Sequence, residues 1–91
     1  MPKSRKSLKT PRNNAFKNQK GLCYYCKLPM WQNNLSDFAS KYKISIRSAD
    51  AFQCTGEHLI SHSEGGTSRQ NNIVAACKFC NQQRHRRKKV L

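Results

Sequence analysis

One stretch of the chain decides the fold: Cys54-Thr-Gly-Glu-His-Leu-Ile-Ser-His-Ser-Glu-Gly-Gly66, then Thr67-Ser-Arg-Gln, then Asn71-Asn-Ile-Val-Ala-Ala-Cys-Lys-Phe-Cys-Asn81. Phe52-Gln53-Cys54-Thr55 suits a short strand that delivers Glu57 and His58 at its end, and Ile73-Val74-Ala75-Ala76 suits its antiparallel return. The loop between them holds Ser63, Gly65-Gly66 and Asn71-Asn72 and is longer than a hairpin needs, as functional loops in compact domains usually are. From Cys77 the run to Arg87 combines good helix formers with a basic end that suits the helix dipole. The expected order is therefore strand, long loop, strand, helix.

Working outward, Cys77 and Cys80 open that helix with a C-x2-C spacing, and Cys23 and Cys26 repeat it some fifty residues earlier. Each pair can offer two thiolates to one tetrahedral ion from a single turn. Four thiolates leave zinc no open position, so Cys23, Cys26, Cys77 and Cys80 are expected to hold a structural Zn2+. The competing view, two reactive dithiols, lacks a surrounding βαβ pattern. Cys54 is left over and is expected to be a small buried strand residue. Before the first pair, Thr10-Pro11 resembles an N-cap and first helical position, giving a helix from about Pro11 to Lys20 that stops at Gly21. After it, Ser36 is expected to cap a short helix to about Tyr42. Residues 30–50 are otherwise uninformative.

Composition supports a staple. The chain has 91 residues, 36% of them hydrophobic, and five cysteines; so small a core usually needs disulfides or a metal. The N-terminus lacks an apolar signal segment, so a reducing, cytoplasmic setting is expected, where cysteines favour metal. Eighteen Lys and Arg against four Asp and Glu leave a formal charge of +14, the footprint of a polyanion binder. A membrane surface fits less well, because neither a long apolar run nor an amphipathic stretch with a wide apolar face is present. Twelve of the eighteen cations lie in residues 1–20 and 84–89. Lys3, Arg5, Lys6 and Lys9, with Arg84, Arg86, Arg87 and Lys88, are thus the expected phosphate contacts, the first set on a flexible basic arm over residues 1–14. Tyr24, Tyr25, Trp31 and Phe52 are expected to be core residues.

The remaining polar residues of note are Glu57-His58, His62, Asn72, Asn81 and His85. Asn81 and His85 are four apart and share a helix face. If that helix packs on the hairpin, a carboxylate and an amide or imidazole can hold a hard divalent cation beside a histidine. Those are the parts needed for phosphodiester hydrolysis, with a neutral imidazole taking the proton from water.

Over about residues 52–85 these motifs resemble the HNH endonuclease family, whose motif reads as an acidic residue plus His, a Gly-Gly loop, Asn before an aliphatic residue, then C-x-x-C followed by His or Asn. The resemblance implies His58 as general base, Glu57 as a ligand of the catalytic metal and Asn72 as the residue that holds the loop. It implies an H-N-N variant in which the Asn81 amide oxygen is a second ligand. His85 matches a ligand found in some members only, and His62 stands where many relatives have proline, which leaves metal contact, phosphate contact and simple solvation all open for it.

The expected fold is α+β, a small ββα-metal domain over residues 15–91, stapled by zinc and preceded by the arm. The expected function is DNA nicking or cleavage with Mg2+ or Mn2+ and little sequence specificity, by a monomer or weak dimer. It would act inside the cell, nucleoid-associated or phage-encoded, with other proteins of a phage or restriction system as further candidate partners. The alternative, a non-catalytic zinc-bound nucleic-acid-binding module, has no need of Glu57-His58 or Asn81.

Overall fold

Two five-residue strands, β1 (Cys54–His58) and β2 (Ile73–Cys77), form the antiparallel centre of the molecule. Their register sets Cys54 opposite Cys77, Glu57 opposite Val74 and His58 opposite Ile73. The computed structural model describes residues 8–60, 64–67 and 69–90, the last five of these by their backbone alone. His62, Lys3, Arg5 and Lys6 therefore lie outside the described residues.

β2 is apolar and buried along its whole length, because helices cover both faces of the hairpin. Helix α1 (Lys9–Asn18) lies on one face. A Cβ on Gly56 would stand 3.4 Å from the Cβ of Leu8 and 3.5 Å from that of Arg12, so the missing side chain lets α1 rest directly on β1. The other face takes α4 (Lys78–Val90), which follows β2 without a break. Alternation along β1 turns Cys54, Gly56 and His58 toward α1, and Thr55 and Glu57 toward α4.

Helix α1 corrects two expectations. It begins at Lys9 after Leu8, with no side-chain cap, so Thr10 is not the N-cap and residues 9–14 belong to a helix rather than to a flexible arm. Pro11 is tolerated inside the first turn, where amides have no helical acceptor, and the packing of Leu8 over Gly56 holds the start instead of a cap. The helix exits through Lys20 (φ 57°) and Gly21 (φ 76°), and the chain then folds back with Cys23 N–H on Leu28 O at 2.8 Å and Lys27 N–H on Cys23 O at 3.0 Å. Tyr24 N–H joins this knuckle to β2 at Ala75 O, 3.0 Å away. Gln19 reinforces the junction by exchanging two hydrogen bonds with the Ala75 backbone.

The middle of the chain holds two helices, α2 (Leu35–Tyr42) and α3 (Ile46–Asp50). Asn34, not Ser36, caps α2 by accepting from Asp37 N–H at 2.9 Å, and Ser45 caps α3 in the same way. Phe38 packs at a tilt against the rings of Tyr42 and Phe52, and Trp31 donates its indole N–H to Ala49 O at 2.8 Å. Phe52 closes the exit of α3 through its own N–H on Ala49 O, which is why β1 starts two residues later than expected.

The central core is Ala15, Cys23, Met30, Cys54, Ala75, Ala76 and Cys77, with Phe16, Tyr25 and Cys80 against it. Cys23 and Cys77 are its largest fully buried side chains. Tyr24, expected inside, is 40% exposed.

Candidate functional site

Two clusters flank the hairpin. In the first, the Sγ atoms of Cys23, Cys26, Cys77 and Cys80 lie within 4.8 Å of one another, and none of the five cysteines is disulfide-bonded. The separation of Cys26 and Cys77 is 4.0 Å, close to the edge of about 3.8 Å that a tetrahedron with Zn–S bonds of ~2.3 Å requires. The residues fit a four-coordinate zinc. Backbone amides already face the sulfurs: Cys77 and Tyr25 N–H point to Cys23 Sγ at 3.3 and 3.4 Å, and Cys80 N–H to Cys77 Sγ at 3.5 Å. Burial pushes the Cys23 thiol up, but the amides of Cys26, Cys77 and Tyr25 together outweigh it and bring the pKa down to about 7. Burial raises Cys77 to about 11. Cys80 is also raised, by burial first and then by its hydrogen bond with Cys77. Among the described residues this is the only group of three or more His, Cys, Asp or Glu side chains placed to share an ion.

The second cluster lies between β1 and α4. The Glu57 side chain is 7% exposed, with Oε2 at 2.9 Å from Arg84 Nε and Oε1 at 3.4 Å from His85 Nε2. Asn81 donates from Nδ2 to Thr55 Oγ1 at 3.0 Å, and the same hydroxyl donates to Ala76 O at 2.7 Å. Because the Thr55 proton is committed to the backbone, this hydroxyl can only accept from Asn81, and the amide oxygen of Asn81 must face the other way. A carboxylate, an imidazole and a turned-out amide oxygen make a donor set that suits a hard divalent cation.

Asn72, buried at 8% exposure, commits its whole amide to the loop. Its Oδ1 accepts from Ile60 N–H at 2.8 Å, while Nδ2 donates to Ile60 O and Thr67 O at 3.0 and 2.6 Å. The backbone of His58 is thus held by its pairing with Ile73 on one side and by this clamp two residues later.

The structure sets His85 against Glu57 and Asn81 against Thr55, two residues earlier on the same strand, with Asn72 at the neighbouring strand end. His58 follows Glu57 directly but leaves β1 on the α1 face, the face that Leu8 and Arg12 cover at Gly56. Arg84, expected as a phosphate contact, is the ion-pair partner of Glu57, with its guanidinium carbon 4.8 Å above the Tyr25 ring. Sequence reasoning missed the roles of Thr55, Tyr25 and Arg84. Period-2 alternation puts Thr55 on the Glu57 face, and the spacing 81, 84, 85 puts Arg84 with Asn81 and His85.

A family model described as HNH endonuclease matches residues 41–87, just over half of the 91-residue chain. That span includes Glu57, His58, Asn72, Asn81, His85 and the second cysteine pair, and it begins after the first. No curated protein and no solved structure matches the chain.

Proposed function

The chain belongs to the HNH endonuclease family, and from that premise we propose that it cleaves or nicks DNA by metal-dependent hydrolysis of phosphodiester bonds. The observation that carries the proposal is the contact of His85 with Glu57 and of Asn81 with Thr55, two residues before Glu57 on the same strand, next in sequence to a histidine whose backbone is clamped from both sides. Glu57 and the Asn81 oxygen would hold the Mg2+ or Mn2+ ion, with His85 as a third ligand. Such an ion, when bound, stabilises charge on the phosphate and on the departing oxygen.

The chain's own residues supply the rest. His58 accepts a proton from the attacking water at an imidazole nitrogen. Asn72 keeps the His58 backbone from drifting, and Thr55 keeps the Asn81 amide from turning over. Cys23, Cys26, Cys77 and Cys80 would hold Zn2+, which would tie the start of α4, and with it Asn81 and His85, to the knuckle.

Charge supports a nucleic-acid substrate. Of the four acids, Glu57 is bound to Arg84 and Asp50 to Lys78, so the surface is overwhelmingly cationic. A groove of about 450 Å3 between the end of α1 and the end of α2 is lined by Lys17, Lys20 and Lys41, with Phe16 and Tyr42 beside them. Lys20 and Lys43 hold left-handed backbone conformations just after the ends of α1 and α2, an ordinary way for a helix to stop. These lysines join Lys3, Arg5, Lys6, Lys9, Arg86, Arg87 and Lys88 as proposed phosphate contacts. No helix among the described residues is long and apolar enough to cross a membrane.

Incubating the zinc-loaded protein with supercoiled plasmid tests the proposal. Nicked or linear product is expected with Mg2+ or Mn2+ and none with EDTA; unchanged plasmid with either ion would refute it.

A further inference from the structure

Glu57 is the only acidic side chain buried among the described residues. A buried carboxylate is costly without a counter-charge, and Arg84 supplies one through a single Nε contact rather than a two-pronged fork. The rest of its guanidinium lies over the Tyr25 ring, an attraction that does not depend on Glu57. Tyr25 sits between Cys23 and Cys26 in the knuckle, so the cysteine site fixes the ring on which Arg84 rests. The arrangement therefore holds a monovalent cation on the same carboxylate that the proposed function gives to a divalent one.

We propose that Arg84 is a resident counter-ion that competes with the divalent cation for Glu57 and so sets how tightly that cation binds. The inference rests on the metal-dependent reading of the site. In the ion-free protein Arg84 neutralises Glu57 and keeps the β1–α4 contact intact. When a divalent ion takes the carboxylate, the guanidinium keeps its place on Tyr25, at the edge of the site, and repels the ion from there. A lysine would keep the charge but not the flat stacking face.

The test needs no nucleic acid. Mn2+ is titrated into the zinc-loaded protein and its uptake is followed by loss of the free-ion electron paramagnetic resonance signal, with melting temperatures recorded with and without Mn2+. Arg84→Gln is expected to bind Mn2+ about tenfold tighter or more, the effect of one unit charge on a divalent ion roughly 6 Å away even at the dielectric of water. The same variant is expected to melt lower than wild type without Mn2+ and to gain more from its addition. A side chain with a merely structural role would move both readouts the same way, toward lower stability and weaker binding. Arg84→Lys, which keeps the charge but loses its seat on Tyr25, is expected to bind Mn2+ with an affinity between wild type and Arg84→Gln, and Arg84→Met carries the same expectation as Arg84→Gln should the latter not fold. Unchanged or weaker Mn2+ binding in the zinc-loaded neutral variant would overturn the proposal. Glu57→Gln separates the two levels: if wild type shows no Mn2+ uptake that this change removes, the metal-dependent reading itself fails, and the role of Arg84 fails with it.

Discussion

Asn72 shows how one side chain can hold a loop. Its oxygen and amide reach the backbone of Ile60 and Thr67 at once, and a buried donor or acceptor left without a partner costs about 1–3 kcal/mol. Asn72→Ala should lower stability by about that amount in chemical denaturation and reduce cleavage, with zinc content unchanged. Asn72→Asp should be no better, since a carboxylate cannot donate to the two carbonyls. Tyr25 presents the opposite case, because its hydroxyl is buried and has no hydrogen-bond partner. Tyr25→Phe removes that unmet group and keeps the ring under Arg84, so its melting temperature should equal or exceed that of wild type. The loop-holding position of Asn72 was legible from the family resemblance. The Arg84–Glu57 pair was not, because a chain with eighteen cations does not say which of them meets its one buried acid.

The elements that were easiest to read are those that carry the site. The apolar run of β2 and the helix begun by a C-x2-C pair follow from burial on both faces and from metal geometry, and both occur where expected. Helix starts were harder. Thr10-Pro11 and Ser36 have the right chemistry for caps, yet α1 begins at Lys9, where Leu8 packs on Gly56, and α2 takes Asn34. Local capping preference is worth little more than ~1 kcal/mol, so packing and neighbouring caps override it. Helix α3 spans five residues, too short for any hydrophobic period to show. Asn34→Ala should cost about 1 kcal/mol in a thermal melt and leave the cleavage rate at saturating DNA unaffected, since α2 supplies proposed phosphate contacts but none of the proposed catalytic groups.

At the scale of the whole molecule, the feature that matters most is how little ordinary core there is. Among the described residues the central cluster contains no buried leucine or phenylalanine, and its two largest fully buried side chains are the metal-site residues Cys23 and Cys77. Ion binding at these cysteines would then be part of the folding energy, and Cys77→Ser should lose both zinc and most of the circular dichroism signal; a folded, zinc-free variant would contradict this. Cys77 and Cys80 are raised above neutrality in the ion-free protein, so binding at pH 7 must displace their protons, and zinc affinity should fall as pH drops. A titration of zinc affinity against pH should show more than one proton released per ion. The charge of +14 belongs to this scale too. DNA affinity should fall steeply with salt, and reversing Lys17, Lys20 and Lys41 to glutamate should flatten the slope by up to about 0.9 for each phosphate that is no longer neutralised.

All of this converges on His58, the residue proposed to move the proton. The most direct measurement compares plasmid cleavage by wild type, His58→Ala and His62→Ala at equal zinc content, with Mg2+ or Mn2+ present. General-base catalysis contributes ~10²–10⁴ in rate, so His58→Ala should lose cleavage by that factor while still binding DNA, and His62→Ala should retain most of it. Cleavage by the His58 variant at near the wild-type rate would contradict the account.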